Sequence, residues 1–203
     1  GGGSWTGVET MRYENGRIMA RHDTENGSNA GIDYVGGVPD SGTAHAIGYS
    51  RKSGIPFARP FIKYTPTWMR SFMPTTQAKR NQIAKMKLIP VHDLIKDQKI
   101  VLIDDSIVRG NTIANQVNML RASGATEVHV RISSPPFMHP CYYGTDVPDE
   151  DNLIACKHTI PEICDIIGAD SLGYLEPEDL NDMLGGDNFR HCDACFTGVY
   201  PER

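Results

Sequence analysis

The stretch KIVLIDDSIVRGNTIA, residues 99–114, decides how we expect this chain to fold. Its apolar residues from Val101 to Ile103 form a short run that is typical of a strand buried on both faces of a parallel sheet. Two neighbouring carboxylates, Asp104 and Asp105, end this run. Open α/β sheets bind their ligands at the carboxyl ends of the strands, so the acidic pair is a candidate ligand site.

The residues around the acidic pair have the chemistry of a ribose 5-phosphate site. Adjacent side chains of a strand point in opposite directions, so one carboxylate can reach a ligand while the other turns aside or shares a cation. Both suit sugar hydroxyls or hydrated Mg²⁺. The following SIVRGNT, residues 106–112, supplies hydroxyls, a glycine and the start of a helix, which together favour a phosphate. The alternative is a solvated strand-to-helix loop that an Asn or Thr side chain caps.

The elements before this stretch alternate between strand and helix. IDYVGG, residues 32–37, is predicted as a strand, and TAHAIGYSRKSG, residues 43–54, as a helix that its last glycine ends. IPFARPFIK, residues 55–63, is a second strand candidate, although Pro56 and Pro60 favour an edge or an irregular path.

The helix and strand after the acidic pair complete a β-α-β unit. TIANQVNMLRASGA, residues 112–125, places Ile113, Val117 and Leu120 on one helical face. EVHVRIS, residues 127–133, is the next predicted strand. This alternation predicts an α/β fold with a central parallel sheet and right-handed crossovers.

The composition is that of an ordinary globular protein. Of the 203 residues, 39% are hydrophobic and 22% are charged, and the formal net charge is -5. That charge argues against a protein that coats nucleic acid, and no apolar run approaches the roughly 20 residues that a membrane helix needs. No charged-then-apolar signal segment opens the sequence. We therefore expect a cytoplasmic protein that binds neither nucleic acid nor membrane.

Three parts are predicted along the chain. Residues 1–30 are typical of an N-terminal remnant or linker, with a short weak helix and a polar loop rich in Asn and Gly. Residues 31–134 hold the predicted core, and the long polar segment inside it, residues 63–88, is typical of a flexible flap. Residues 135–203 form a C-terminal extension of looser pattern that carries all five cysteines.

Several strings of this sequence match one known family. VLIDDSIVRGNT, residues 101–112, closely resembles the phosphoribosyl pyrophosphate (PRPP) signature of the type I phosphoribosyltransferases, and its DDSIVRG form is similar to that of the amidophosphoribosyltransferase family. GVPDSG at 37–42 resembles the family's pyrophosphate loop, SSPPFMHPCYYGTD at 133–146 its next segment, and CDACFTGVYP at 192–201 its carboxyl terminus. The resemblance implies the type I phosphoribosyltransferase fold, an α/β fold whose central parallel sheet is flanked by helices, with a cysteine-containing tail.

The resemblance also implies roles for individual residues. Asp104 and Asp105 would bind the ribose hydroxyls and, with Ser41, the shell of a Mg²⁺ ion. Arg70 and Lys87 of the flap would be matching cations on the pyrophosphate, and these two and the acidic pair are the predicted catalytic residues. Further contacts with substrate are expected from the pyrophosphate loop and the 5-phosphate loop. These residues are Asp40, Ser41, Gly42, Ser106, Arg109, Gly110, Asn111 and Thr112.

The implied reaction is the displacement of pyrophosphate from PRPP by ammonia, which gives 5-phosphoribosylamine in the first step of de novo purine synthesis. Such a reaction has a transition state with positive charge on the sugar, and it needs no side-chain nucleophile. Cations stabilise the departing pyrophosphate. In the family an N-terminal glutaminase domain supplies the ammonia, and we expect that domain to be absent from this chain, which begins with Gly1. The implied partners are a glutaminase domain or subunit and further copies of the chain in a homo-oligomer.

Some members of the family carry a [4Fe-4S] cluster, and three cysteines stand at its ligand positions here. These are Cys141, Cys192 and Cys195, whereas the fourth family ligand lies upstream of the pyrophosphate loop, where this chain has no cysteine. Four thiolates would suit iron and sulfur, but three leave an open or foreign ligand. Cys156 and Cys164 are off this pattern and are predicted as small core residues.

Two other functions stay open from the sequence. One is a regulator that binds PRPP without reacting it, and the other is a salvage transferase that acts on a purine or pyrimidine base. The flap with Arg70 and Lys87 favours an enzyme over the regulator. The PPFMHPC and CDACFTG segments argue against the salvage transferase, which would need a hood that contacts the base.

Overall fold

The computed structural model describes residues 7–64, 87–145, 147, 149–183 and 191–201 of the chain. In chain order its elements are α1 (Val8–Asn26), β1 (Tyr34–Gly37), α2 (Thr43–Ser53), β2 (Phe61–Tyr64), β3 (Lys87–Pro90), α3 (His92–Ile95), β4 (Lys99–Asp104), α4 (Asn111–Ala122), β5 (Glu127–Ile132), a 3₁₀ helix (Glu150–Asn152), α5 (Ile154–Lys157), α6 (Ile160–Ile167), β6 (Ser171–Tyr174), α7 (Pro177–Met183) and α8 (Ala194–Thr197). No helix in the described ranges combines the length and the apolar surface that crossing a bilayer requires.

The central sheet has four parallel strands in the order β1, β4, β5, β6. Strand β4 lies inside the sheet, with Ile100 opposite Tyr34 of β1 and Lys99 opposite Glu127 of β5. Strand β6 pairs with the other side of β5. The predicted α/β fold is confirmed, and the strand that carries the acidic pair has the interior position expected of it.

Alternating side chains of β4 enter two hydrophobic cores on opposite faces of the sheet. Ile100 and Leu102 pack with residues of α4 and α6 on one face. Val101 and Ile103 pack with residues of α1 and α2 on the other face. All four side chains are fully buried, as an interior parallel strand requires. The described residues therefore form helix, sheet and helix layers, and the carboxyl ends of the parallel strands share one edge.

Strands β2 and β3 form a separate antiparallel ribbon beside this sheet. The chain before β2 is irregular, as its two prolines predict, and Phe57 makes an isolated bridge to Val35 of β1. Residues 65–86, which include Arg70 and most of the predicted flap, lie outside the described residues.

Helix α1 is longer than the short weak helix predicted near the start of the chain. It runs for 19 residues and packs along α2. Two glycines allow α1 and α2 to approach each other closely. A Cβ on Gly16 would overlap the carbonyl oxygen of His45, and a Cβ on Gly48 would overlap the carbonyl oxygen of Tyr13. The prediction was wrong because tertiary packing of a few apolar residues, rather than a clear apolar stripe, stabilises this helix.

The chain after residue 134 contributes to the same sheet, contrary to the predicted boundary of the core. It supplies β6, and α6 packs Ile163 and Ile167 into the first hydrophobic core. Thr159 begins α6 with a capping box that it forms with Glu162. The sequence did not reveal β6 because a strand of four residues is too short to show a clear period.

Candidate functional site

A cavity of about 770 Å³ opens at the carboxyl ends of β1 and β4. This edge of a parallel sheet is where α/β proteins bind their ligands. The lining includes Asp104 and Asp105, every residue of the predicted 5-phosphate loop from Ser106 to Thr112, and Ser41 of the predicted pyrophosphate loop. The acidic pair and the predicted phosphate loop therefore share one cavity.

The two carboxylates of the acidic pair have different environments. Asp104, the last residue of β4, has only 8% of its surface exposed, whereas Asp105 is exposed. Asp104 Oδ1 accepts hydrogen bonds from Ser41 Oγ at 2.6 Å and from the Asp105 N–H at 2.8 Å. Ser106 Oγ donates to Asp105 Oδ1 at 3.0 Å. One acid is thus held in a fixed position, and the other is open to a ligand.

Burial raises the pKa of Asp104 from its ordinary 3.8 to about 6. The hydrogen bonds from Ser41 and from the Asp105 N–H favour the carboxylate, but they do not cancel the loss of water around it. The negative charge of Asp105 raises the pKa of Asp104 further. A cation beside the pair would favour the ionised form, so the electrostatics of the site suit a cation.

The substitution Asp104→Asn is expected to stabilise the ligand-free chain at neutral pH. Because the pKa of Asp104 is raised in the folded state, the free energy of unfolding falls as the pH rises from about 4 to about 6. A pKa shift of about two units corresponds to roughly 3 kcal/mol above that range, and the neutral amide would recover it. Urea unfolding with a chelator, at about pH 4 and about pH 7.5, measures the change.

The exposed Asp93 of α3 provides the matched control for this substitution. Asp93→Asn should leave the free energy of unfolding nearly unchanged at both pH values, because its carboxylate stays in water. The prediction is contradicted when the gain from Asp104→Asn is as large at pH 4 as at pH 7.5.

The loop after β1 approaches β4 closely enough to bring Ser41 to the acidic pair. A Cβ on Gly42 would overlap the carbonyl oxygen of Ile103, so this approach requires glycine. Asp40 is exposed and forms an ion pair with Lys63, with 2.8 Å between Oδ2 and Nζ. Of the three predicted contacts in this loop, Ser41 lines the cavity, whereas Asp40 and Gly42 do not.

The turn between β4 and α4 leaves the amino end of α4 open. Gly110 occupies the N-cap position with φ of 87°, a left-handed conformation that glycine adopts freely. It has no side chain to cap the helix, so the Asn or Thr cap expected in the alternative of a solvated loop is not formed at α4. Asn111 and Thr112 of the first turn line the cavity. Backbone N–H groups of that turn and the helix dipole are therefore available to an anion.

The chain is similar to curated proteins and to solved structures, although no family model matches it. It is 45% identical over 192 residues to the amidophosphoribosyltransferase of Synechocystis sp., covering 95% of this chain and 38% of the relative. It is 46% identical over 195 residues to the amidophosphoribosyltransferase of Pyrococcus horikoshii, covering 96% and 41%. A structure of the glutamine PRPP amidotransferase from B. subtilis, complexed with ADP and GMP, matches with a TM-score of 0.77 and 43% identity, over 96% of this chain and 42% of that one. Over the matched residues, the chain belongs to the amidophosphoribosyltransferase family.

This amidophosphoribosyltransferase homologue spans about two fifths of the length of the curated relatives that it matches. The type I phosphoribosyltransferase fold implied by its signature is confirmed, because the parallel sheet agrees with the likeness to the B. subtilis structure. Family membership therefore rests on nearly the whole chain and not on the acidic pair alone.

For two of the predicted catalytic residues of this family member, the structure does not describe the side chain. Arg70 lies outside the described residues. For Lys87 the structure gives the backbone, which pairs with Tyr64 at the end of the β2–β3 ribbon. Their roles on pyrophosphate stay predictions, whereas Asp104 and Asp105 lie together in the cavity.

Sequence reasoning missed two polar residues that line the cavity of this amidophosphoribosyltransferase homologue, Lys63 and Gln116. Lys63 follows the buried Phe61 by two positions in β2, and strand spacing places the two on one face. Gln116 follows the buried Ile113 by three positions in α4, which is the spacing of one helical face. Both periodicities were present in the sequence and could have found these residues.

The three candidate cluster ligands of the family lie in one neighbourhood of the tail but do not complete a metal site. Burial raises the pKa of Cys195, and so do the nearby thiols of Cys141 and Cys192. Backbone N–H groups of Tyr143 and Thr145 lower the pKa of Cys141. In the part of the chain that the structure describes, no group of three or more His, Cys, Asp or Glu side chains is placed to hold a metal ion. These residues therefore do not fit a four-thiolate cluster by themselves.

Aromatic packing connects the two segments that carry these cysteines. Phe137 stacks on Phe196, with 5.2 Å between the ring centroids. Cys156 and Cys164, predicted as core residues, are only partly buried, and Cys156 Sγ donates to the carbonyl of Met138 at 3.2 Å. The tail is thus a packed part of the protein.

Proposed function

We propose that this chain is the phosphoribosyltransferase (synthase) part of an amidophosphoribosyltransferase. It would form 5-phosphoribosylamine and pyrophosphate from PRPP and ammonia, in the first step of de novo purine synthesis. The observation that carries the proposal is the shared cavity, in which the acidic pair and an open helix N-terminus lie one loop apart. Similarity to relatives that carry the enzyme's name supports it.

Different parts of the cavity suit different parts of PRPP. The 5-phosphate would lie against residues 106–112, where backbone N–H groups and the helix dipole favour an anion. The ribose hydroxyls would donate hydrogen bonds to Asp104 and Asp105, since ionised carboxylates are acceptors only. The pyrophosphate would extend towards Ser41 and Lys63, and Lys63 brings a positive charge to the lining. The charges of the ligand and of the site would then be complementary.

Ser41, Asp104 and Asp105 would hold the Mg²⁺ ion that the family resemblance implies. Their hydroxyl and carboxylate oxygens are the donors that Mg²⁺ prefers, and a sparse set of protein ligands suits an ion that keeps several waters. The two hydrogen bonds to Asp104 both end on Oδ1, and the raised pKa of this acid marks a carboxylate that a cation would stabilise. Bound Mg²⁺ would neutralise charge on the departing pyrophosphate.

The reaction depends on position and charge more than on a reactive side chain. The lone pair of ammonia would bond to the anomeric carbon as the bond from that carbon to the pyrophosphate oxygen breaks, and water would take the surplus proton. The carboxylates of Asp104 and Asp105 would face the positive charge that develops on the sugar. Lys63, with the cations predicted at Arg70 and Lys87, would stabilise the leaving group. Closure of the predicted flap would keep water from the reactive carbon.

The partners of the chain belong to the same proposal. A glutaminase domain or subunit would supply ammonia, and the active protein would be a homo-oligomer in the cytoplasm. Cys141, Cys192 and Cys195 would hold a [4Fe-4S] cluster only with a fourth ligand from outside the described residues.

The proposed function is tested by measuring pyrophosphate release from PRPP and Mg²⁺ with ammonium as the nitrogen donor. Ammonium-dependent release is expected. Pyrophosphate release with glutamine in place of ammonium would show that glutaminase activity is present. Binding of PRPP without release would favour the regulator instead. Release that requires a purine or pyrimidine base would favour the salvage transferase.

A further inference from the structure

His45 is a buried titratable residue that the proposed reaction does not use. It lies in α2 with 3% of its surface exposed, and Ala46 and Tyr49 of the same helix are buried as well. Burial, together with the charge of Arg12, lowers the pKa of His45 from 6.5 to about 4, and the carboxylate of Asp105 opposes this shift only in part. The imidazole is therefore neutral at pH 7, and one of its two nitrogens is a hydrogen-bond acceptor.

Ser133, the residue that follows β5, joins His45 to the strand end that carries the acidic pair. Its Oγ lies 3.3 Å from His45 Nε2, and its N–H donates to the carbonyl oxygen of Asp104 at 3.0 Å. Asn15 of α1 donates from Nδ2 to the carbonyl oxygen of Ser133 at 3.4 Å. Ser133 and Asp104 are only 5% and 8% exposed. Buried hydrogen bonds therefore link α1 and α2 to the backbone of Asp104.

Helix α2 and the loop before it reach Asp104 at two points. Ser41, four residues before His45, donates from Oγ to Asp104 Oδ1 at 2.6 Å. His45 reaches the backbone of Asp104 through Ser133. The first contact holds the carboxylate, and the second holds the backbone from which this side chain extends. The orientation of the Asp104 carboxylate therefore depends on both contacts.

A histidine at position 45 is unfavourable for folding by itself. A buried polar side chain loses its contacts with water, and one long hydrogen bond offsets only part of that loss. An apolar side chain of similar size would pack among the buried residues of α2 without this cost. Residues that conflict with packing in this way are expected mainly at functional sites, so the position of His45 beside the acidic strand end suggests a role there.

We propose that His45 is a positioning residue, which acts through Ser133 to hold Asp104 in the orientation that the reaction requires. This inference rests on the proposed function, in which the Asp104 carboxylate faces the positive charge that develops on the sugar. Ser133 Oγ donates to the neutral imidazole, and this hydrogen bond fixes the residue whose N–H binds the Asp104 carbonyl. Misplacement of a reacting group by about 1 Å can lower a rate by about a hundredfold, so a contact behind the carboxylate can affect catalysis without touching the substrate.

Ammonium-dependent pyrophosphate release by variants of this pair tests the inference. His45→Leu keeps the approximate size of the side chain and removes the hydrogen bond, and we expect kcat to fall about tenfold while the KM for PRPP changes by less than about twofold. His45→Gln, whose side-chain amide can take the place of Nε2, should recover most of kcat. Ser133→Ala should lower kcat as His45→Leu does, and the two changes together should lower it no further, because both remove the same hydrogen bond.

His129→Leu is the matched control, because it removes another hydrogen bond between a histidine and a serine, in the strand that Ser133 follows. His129 Nδ1 lies 2.7 Å from Ser171 Oγ, and His129 stands opposite Val101 of β4, three residues before Asp104. This variant should keep the kcat of the parent chain. Urea unfolding near pH 7 separates positioning from stability, since His45→Leu should resist urea at least as well as the parent does.

The same substitution in an Asp104→Asn background shows whether His45 acts through Asp104. There His45→Leu should change kcat by less than about twofold, because the carboxylate to be positioned is gone. An undiminished effect in that background overturns the inference and leaves the proposed function standing, and so does a kcat at the level of the parent in His45→Leu or in Ser133→Ala. Absence of ammonium-dependent release by the parent chain itself overturns the proposed function, and the role of His45 with it.

Discussion

Replacing both Asp104 and Asp105 with Asn is expected to lower ammonium-dependent pyrophosphate release by about a hundredfold or more, the scale seen when preorganised electrostatic groups are removed from an active site. The amides keep the size of the acids. In the parent chain Ser41 Oγ lies 2.6 Å from Asp104 Oδ1, and the amide oxygen of Asn at position 104 can still accept this hydrogen bond. The negative charge is lost at the place where we propose that the sugar becomes positive and Mg²⁺ is held. Initial rates at saturating PRPP and ammonium measure the effect.

Two comparisons make this result specific to the site. Asp93→Asn removes an exposed carboxylate of α3 that is outside the cavity lining, and it should keep the activity of the parent chain. The free energy of unfolding of the double variant should not fall, because burial opposes the ionisation of Asp104 in the parent chain. A double variant that retains most of its activity would show that the acidic pair does not take part in the reaction.

Arg131→Met is expected to lower the free energy of unfolding by about 3–5 kcal/mol, because it leaves a buried carboxylate without its partner. Arg131 of β5 and Asp23 of α1 are 5% and 6% exposed, and Arg131 Nε lies 2.8 Å from Asp23 Oδ2. Tyr49 OH donates to the same carboxylate at 2.6 Å. Urea unfolding near pH 7 measures the loss.

An exposed ion pair of the same chain is the control for this buried one. Arg17 and Glu14 of α1 also meet at 2.8 Å, but both side chains are about two fifths exposed. Arg17→Met should therefore change the free energy of unfolding by less than about 1 kcal/mol. The double variant Asp23→Leu, Arg131→Met should recover much of the loss, because it buries no unpaired charge. Equal losses from Arg17→Met and Arg131→Met would contradict the argument from burial.

The sequence by itself determined the β-α-β unit and the chemistry at its turn. The apolar run before Asp104 predicts a strand buried on both faces, and the spacing of Ile113, Val117 and Leu120 predicts one buried face of a helix. Both signals depend only on neighbours along the chain. The sequence also placed an acidic pair and a predicted phosphate loop at one strand end, because the carboxyl end of a parallel strand is fixed by topology. These features are local, and the structure confirms the unit they predict.

Only the tertiary structure decided which polar groups are buried away from water and which partners they have there. It buried Asp104 and exposed its neighbour Asp105, and it left Oε1 of Gln116 without a hydrogen-bond partner among the described residues. It also paired Arg131 with Asp23, which is 108 residues away along the chain. Burial and pairing depend on segments that are distant in sequence and adjacent in the fold. Local sequence patterns therefore predicted which strand end carries the candidate site. Packing determined which of its polar groups are buried and which groups they pair with.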